Sequence, residues 1–167
     1  VFIFSGQQNH AGTTMMAGRK DAATALYALA NAINEEFPKV AGDRSVWTMG
    51  RAVLTPGAPS IVPGHGELEL QFRDVDPAVL DRFEAVAHRL VAEINSRGGA
   101  TVEAKPSRVR IPPAHMDPGF QEHLSRAAET HAPGNWNAMP SGAFHDAGVV
   151  CGVMPCAMLF IPSIGGI

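Results

Sequence analysis

Apolar residues recur at three- and four-residue spacing in two stretches of the chain, and this spacing predicts two amphipathic helices. The first covers residues 19–37 and stops at a proline, which cannot continue a helix. In the second, Asp76 is placed to cap the helix, Pro77 occupies its first position, and Gly98 with Gly99 ends it. The predicted buried stripes are Ala22, Leu26, Leu29, Ile33 and Phe37 in the first helix and Leu80, Phe83, Ala87, Leu90 and Ile94 in the second.

Four further stretches predict β-strands. Residues 67–73 alternate between apolar and polar side chains, which is typical of a strand with one buried face. The apolar run at 1–4 predicts a first strand, and residues 44–54 predict another, ended by a Pro- and Gly-rich loop. The last predicted strand, 100–111, contains Pro106, which cannot donate to a sheet ladder. We therefore expect this strand at a sheet edge or with a bulge.

The predicted elements follow the order β-α-β-β-α-β, which is typical of an α+β, ferredoxin-like unit with an antiparallel sheet and two helices on one face. A boundary is expected at the proline-rich segment 112–119. Beyond it, the sequence predicts a helix at 119–131, a short helix near "AFHDAG" and an apolar strand at 156–161. Because that strand reads as buried on both faces, we expect it to belong to a parallel sheet of a different, α/β domain.

Composition excludes several classes of partner. The 167 residues are 46% hydrophobic and 17% charged, with a formal net charge of −3, so the chain is expected to be globular and without attraction to nucleic acid or anionic membranes. No apolar stretch is long enough to span a bilayer. The polar face of 67–73 also lacks the aromatic residues that stack on RNA bases. Cys151 and Cys156 are predicted to be reduced core residues of a cytoplasmic protein.

Both ends of the sequence are unusual for a complete protein. The chain starts inside a strand-like run without an initiator Met, and it stops in a glycine turn just after the apolar strand. We therefore expect an internal section of a longer protein. In such a section, the absence of a signal peptide says little about location.

Seven histidines make a metal site the first chemistry to consider. However, the "HMD" segment at 115–117 lies in a proline-rich linker, and the acidic pair Glu35 and Glu36 lies at a helix end, where solvated acids are ordinary. The remaining isolated histidines are predicted surface residues: His65, His88, His123 and His131. The sequence therefore predicts no metal ligands in this chain.

Four other features carry candidate chemistry, and each has a simpler alternative. In "NHAGTT", His10 is either a structural histidine or a hydrogen-bond donor to a developing oxyanion. Arg73 is either a solvated strand residue or a bidentate carboxylate ligand. Ser60 lies in a loop predicted to face the same region. In "MPSGAFHDAG", a Ser-Gly turn containing Gly142 precedes His145 at a helix start, where backbone amides can bind an anion.

Four segments, taken in order, resemble the hydantoinase/carbamoylase family of amidases: "NHAGTTMMAGRKDA", "APSIVPGHGELELQFRDVD", "MPSGAFHDA" and "LFIPSIGGI". This family includes N-carbamoyl-L-amino-acid hydrolases, β-ureidopropionases and allantoate amidohydrolases, within the dinuclear zinc peptidase and aminoacylase group. The resemblance implies an α/β catalytic domain and an inserted β-α-β-β-α-β lid domain that mediates homodimerisation. Residues 5–112 would form the lid, 1–4 the strand entering it, and 113–167 a partial catalytic domain.

The resemblance also implies a role for each candidate residue. His10 matches the lid histidine that polarises the scissile carbonyl and stabilises its tetrahedral intermediate. Arg73 matches the arginine that binds the substrate carboxylate, and Ser60 stands where the family usually has an Asn with the same partner. Gly142 and His145 match residues of the turn that lines the substrate pocket. Two departures from the family pattern, Ser60 and Phe144 in place of a second glycine, leave the exact substrate open.

The implied reaction is metal-assisted hydrolysis of the ureido or amide C–N bond of N-carbamoyl-L-amino acids or related small ureido acids. Its cofactors would be two divalent metal ions, zinc with manganese or cobalt as alternatives, held by residues outside this chain. The chain alone is then expected to be inactive. Two alternatives remain open: a non-catalytic dimerisation module or degenerate member of the family, and a related aminoacylase or peptidase of the same zinc group.

Overall fold

The computed structural model of the chain describes residues 1–106 and 111–166. Its residues form two compact units, Val1–Ile111 and Pro112–Ile167. Part of the predicted last strand, residues 107–110, lies outside the described residues.

The first unit contains six strands and two α-helices within its described residues. In chain order these are β1 (Phe2–Ser5), β2 (Asn9–His10), α1 (Ala22–Glu36), β3 (Val46–Thr55), β4 (Ile61–Val62), β5 (His65–Arg73), α2 (Pro77–Ser96) and β6 (Thr101–Ala104). Two short 3₁₀ turns, Met16–Gly18 and Phe37–Lys39, flank α1.

Four of these strands form one antiparallel sheet in the order β3-β5-β1-β6. Strand β1 therefore lies inside the sheet, as expected for the first strand of the predicted β-α-β-β-α-β order. The two shortest strands, β2 and β4, pair with each other in a separate ribbon. The predicted mixed α/β fold with a small antiparallel sheet is confirmed, whereas its assignment as a ferredoxin-like lid stays a prediction.

Both helices begin at aspartates. The Asp21 carboxylate accepts hydrogen bonds from the amides of Ala23 and Thr24, and the Asp76 carboxylate accepts one from Ala78. A cap of this kind satisfies amides that have no partner inside the helix. The predicted cap at Asp76 is confirmed, and every residue of the two predicted apolar stripes is buried.

An aromatic cluster lies where α1 and α2 pack on the sheet. Phe83 of α2 stacks on Phe37 with 4.4 Å between ring centroids, and Phe72 of β5 and Trp47 of β3 contact the same pair. Phe83 and Phe37 are fully buried. Because buried aromatic rings contribute large apolar areas, this cluster holds the start of β3 and the end of β5 against the helices.

The last strand is shorter than predicted. β6 ends at Ala104, before Pro106, and it pairs with β1 at one edge of the sheet. A proline has no amide hydrogen for the ladder, which explains the stop. The side chain of Asn95 bonds to both the amide and the carbonyl of Val102, and so fastens the end of α2 to this edge.

The second unit contains α3 (Pro118–His131), the four-residue helix α4 (Ala147–Val150) and a 3₁₀ turn, Ile164–Gly166. The prediction of a buried strand at 156–161 is wrong: the segment is irregular, and Leu159 and Ile161 are 70% and 81% exposed. A strand needs neighbours for its backbone amides and carbonyls, and the described part of this unit supplies none. Cys151 and Cys156 are only partly buried, so their assignment to a core is also wrong.

Across the described ranges, none of the helices combines the length and the apolar character that crossing a membrane would require.

We predict that Phe83→Ala lowers the free energy of unfolding of the first unit by about 3–5 kcal/mol, because it leaves a cavity inside the aromatic cluster. Urea denaturation followed by Trp fluorescence measures this, since Trp47 borders the cavity. The control His88→Ala changes an exposed residue of the same helix and should shift the value by less than about 0.5 kcal/mol. Equal stability of the two variants would contradict the assigned core.

Candidate active site

The "NHAGTT" segment folds into a loop that presents the His10 imidazole to solvent. The backbone amide of Gly12 donates a hydrogen bond to His10 Nδ1 at 3.1 Å. Since Nδ1 accepts this bond, the proton of the neutral ring is on Nε2. His10 therefore offers an exposed Nε2–H donor. The position of Gly12 also needs a small residue, because a Cβ there would lie 3.2 Å from His10 Cε1.

Backbone contacts hold this loop from both sides. The Thr14 hydroxyl donates to the carbonyl of His10 at 2.8 Å, and the Arg19 guanidinium donates to the carbonyls of Thr14 and Ala11. Arg19 is not among the candidates that the sequence suggested. The available signal was an arginine nine residues after the histidine, directly after a stretch, residues 11–18, without any charged residue. A partly buried guanidinium bonded to two carbonyls makes the loop rigid around His10.

The structure brings Ser60 next to this loop. β2 pairs with β4 so that His10 faces Ile61, and the amide of Ala11 donates to the carbonyl of Ser60 at 2.8 Å. Both His10 and Ser60 are exposed. The pairing of the two-stranded ribbon therefore brings Ser60 to His10, whereas its expected contact with the same substrate carboxylate as Arg73 stays a prediction.

Arg73 lies at the other end of the sheet from His10. The β2–β4 ribbon continues from the end of β5 that holds His65, because Gly6 donates to the carbonyl of Gly64 next to the Ser5–His65 pair. Arg73 is eight residues further along β5, about 26 Å away at the usual rise of a strand. The first unit of a single copy therefore cannot place Arg73 and His10 against the same small substrate.

Helix α1 gives an independent measure of this separation. Its first residue, Ala22, bonds to the carbonyl of Pro63 at the His10 end, and Phe37, just after its last turn, contacts Phe72 beside Arg73. Fifteen helical residues extend for about 22 Å. The two ends of the sheet are thus held apart by a rigid helix as well as by β5.

Arg73 lies on the sheet face opposite the helices. It donates to Gln71 Oε1 at 3.1 Å and lines a shallow pocket of about 110 Å³ with Val46, Trp47 and Thr48. The acids of the same strand face, Glu67 and Glu69, bind Arg51 at 2.7 and 3.3 Å. Hydrogen bonds from Arg51 and then His65 lower the pKa of the Glu67 carboxyl, so this acid stays ionised.

In the second unit, the turn before α4 orients His145. The Ser141 hydroxyl lies 2.6 Å from His145 Nε2 and accepts the amide of Ala143, and the imidazole packs on the Phe160 ring at 5.5 Å between centroids. Sequence reasoning had missed Ser141 as a partner of His145, although the two residues are four apart. The hydroxyl and the aromatic ring together fix the imidazole plane.

Three of the amides at the start of α4 have partners inside the turn, and the anion site predicted there stays a prediction. Gly148 donates to the carbonyl of His145, and Val149 and Val150 donate to that of Asp146. These three amides are thus occupied within the turn. Gly142 lies in the turn between Ser141 and Ala143, where a Cβ would meet no atom within 4 Å.

Within 1–106 and 111–166, no three His, Cys, Asp or Glu residues come together as a possible metal site. The divalent metals implied by the resemblance therefore have no ligand set among the described residues.

Comparisons with known proteins identify its relatives. No family model matches the chain. Allantoate amidohydrolase of Bacillus subtilis is 32% identical over 173 residues, which cover 100% of this chain and 40% of the relative. N-carbamoyl-L-amino-acid amidohydrolase of Paenarthrobacter aurescens is 28% identical, covering 96% and 38%. The crystal structure of a hydantoinase/carbamoylase family amidase from Burkholderia phymatum matches with 44% identity and a TM-score of 0.84, covering 92% of this chain and 38% of that chain.

These relatives are hydrolases of C–N bonds other than peptide bonds. The chain belongs to the hydantoinase/carbamoylase family of amidases, as the resemblance of its four segments predicted. It spans about two fifths of the length of the curated relatives it matches, between 34% and 40%.

We predict that Gly12→Ala disturbs the His10 tautomer, because the new methyl group would lie 3.2 Å from Cε1 and 3.5 Å from Nδ1 and would push the ring away from the amide. Two-bond ¹H–¹⁵N NMR of the neutral imidazole should show mainly the Nε2–H form in the wild type and a mixture in the variant. Gly18→Ala is the control, since a Cβ there meets no atom within 4 Å. A wild-type spectrum for Gly12→Ala would contradict the assigned bond.

Proposed function

We propose that the protein hydrolyses the ureido or amide C–N bond of N-carbamoyl-L-amino acids or related small ureido acids. The observation that carries this proposal is the exposed Nε2–H of His10, which the Gly12 amide holds in the donor tautomer. The names of the relatives, which include amidohydrolases for allantoate and for N-carbamoyl-L-amino acids, support the substrate class.

His10 would donate to the oxygen of the scissile carbonyl. This oxygen gains negative charge as the tetrahedral intermediate forms, so a donor that is already oriented stabilises the transition state more than the substrate. The contacts of Thr14 and Arg19 with the His10 loop reduce the reorganisation needed at that moment. In the proposal, Ser60 lies beside this donor and contacts the substrate with its short hydroxyl.

Arg73 would bind the substrate carboxylate. The separation of about 26 Å along β5 means that it cannot do so at the same site as His10 of its own chain. We therefore extend the proposed homodimer: each active site takes His10 and Ser60 from one copy and Arg73 from the other. The first unit would then act as a ferredoxin-like lid whose two ends serve two different sites.

The turn at Gly142 and His145 would line the substrate pocket on the catalytic side. The Ser141 hydroxyl bonds to Nε2, which leaves Nδ1 of His145 as the ring atom that can face a ligand. The exposed Phe144, in place of the family's usual glycine, adds an apolar side chain to this turn. It favours a substrate with an apolar side chain over a purely polar one.

The proposal includes two divalent metal ions, with zinc first and manganese or cobalt as alternatives. Only the family resemblance supports this part of the proposal. The chemistry of the metals would be to activate a water molecule and polarise the carbonyl, with ligands outside this chain. A cytoplasmic location likewise stays a prediction. A non-catalytic dimerisation module, or an aminoacylase or peptidase of the same group, would be the outcome if no ureido acid is hydrolysed.

In the full-length protein, we predict different kinetic defects for two substitutions. His10→Ala should lower kcat by about 10²–10³ with little change in KM, since its partner charge exists only in the transition state. Arg73→Ala should mainly raise KM, by the equivalent of about 2–5 kcal/mol, since the carboxylate is present throughout. Ammonia release from N-carbamoyl amino acids measures both, with His88→Ala as the control. Wild-type kinetics for Arg73→Ala would contradict the proposed contact and show that Arg73 is a solvated strand residue without a role in substrate binding.

The shared site predicts complementation between the two variants, measured at a substrate concentration far below the raised KM of Arg73→Ala, where each variant alone has little activity. Random pairing of His10→Ala and Arg73→Ala subunits makes half of the dimers mixed, and each mixed dimer contains one intact site. Activity should therefore recover to about a quarter of the wild-type value after subunit exchange. No recovery, with mixed dimers verified by mass spectrometry, would place both residues in one chain's site. That result would contradict the separation along β5.

A further inference from the structure

The chain contains two cysteines, and the fold brings them to the same place. Cys151 follows α4 directly, and Cys156 lies in the irregular segment after the next turn. Both are partly exposed and neither forms a disulfide. Neither residue has a role in the hydrolysis proposed above.

The two thiols contact consecutive carbonyl groups of one helix. Cys151 Sγ donates to the carbonyl of Gly148 at 3.4 Å, and Cys156 Sγ lies 3.4 Å from the carbonyl of Ala147. The two thiols also interact directly, because Cys151 is a hydrogen-bonding neighbour of the Cys156 side chain. A third sulfur, Met116 Sδ, lies 3.8 Å from Cys156 Sγ.

The surroundings give the two thiols different reactivity. Burial, and then the neighbouring Cys151 and Asp117, raise the pKa of the Cys156 thiol. Since the thiolate is the form that attacks an oxidant, Cys156 is disfavoured as the first residue to react. This leaves Cys151 as the residue that is oxidised first.

We propose that Cys151 and Cys156 form a reversible intrachain disulfide when the protein meets a hydroperoxide. Two thiols this close need little backbone movement to reach disulfide geometry. The bond would release both thiols from the Ala147 and Gly148 carbonyls, at the helix that follows His145. It would thereby alter the segment next to the substrate turn without touching a substrate ligand.

The reaction balances in two steps. The Cys151 thiolate attacks one oxygen of the hydroperoxide, the O–O bond breaks, and a sulfenic acid and an alcohol (water, from hydrogen peroxide) form. The Cys156 sulfur then attacks the sulfenic sulfur, the S–O bond breaks, and water leaves with the Cys156 proton. In sum, two thiols and one hydroperoxide give one disulfide, one water and one alcohol, with two electrons passing from sulfur to oxygen.

Titration of the full chain with hydrogen peroxide tests the proposal. One equivalent should remove both thiols and leave a single chain that is lighter by two hydrogen atoms. Peptide mapping should show residues 151 and 156 cross-linked, and dithiothreitol should restore both thiols. Cys156→Ser should instead accumulate a sulfenic acid at Cys151, trapped by dimedone, and Cys151→Ser should react several-fold more slowly. Independent oxidation of the two thiols, or disulfide-linked dimers as the main product, would overturn it.

A second measurement needs no substitution. Phenylarsine oxide, a trivalent arsenical, binds tightly where two thiols can bridge one arsenic atom. The wild-type chain should bind one equivalent, and bound arsenical should protect both thiols from a monofunctional alkylating reagent. Failure to bind, or alkylation of both thiols at the unprotected rate, would show that the two sulfur atoms are not adjacent.

Discussion

Strand β5 is the element on which both the fold and the proposed site depend. It pairs with β1 on one side and β3 on the other, and its apolar face meets both helices. Because a strand is extended and stiff in a sheet, its nine residues also keep its two ends far apart. The His10 loop lies beyond the end of β5 that holds His65, and Arg73 is the last residue at the other end. The same geometry that builds the core therefore prevents one copy from completing the site.

The His10 loop shows how short-range hydrogen bonds orient the side chain that we propose as the donor in catalysis. A glycine at position 12 allows its amide to approach the imidazole, and that single bond decides which ring nitrogen carries the proton. Thr14 and Arg19 then bind the backbone of the same loop. The motif is thus a small structural unit whose purpose is the orientation of one side chain.

The two units differ in how far they bury their apolar side chains. All buried hydrophobic residues among those described lie in the first unit, where two helices cover the sheet. The second unit leaves Val153, Leu159 and Ile161 largely exposed. Its local order comes instead from the Asp117 cap, the Ser141–His145 bond and the thiol contacts with α4. This difference agrees with a chain that spans about two fifths of its relatives.

The sequence by itself determined the two helices, the cap of the second at Asp76 and the buried stripes of both, because periodicity and capping act over a few residues of chain. It also determined the family, because the motifs around His10, Arg73 and His145 keep their order. Only the tertiary structure decided that Ser60 lies beside His10, that Arg19 supports the loop and that Arg73 lies at the far end of β5. It likewise decided that 156–161 forms no strand and that the two cysteines meet. These features depend on strand pairing and on neighbours distant in the chain, and local patterns of polarity carry no information about such partners.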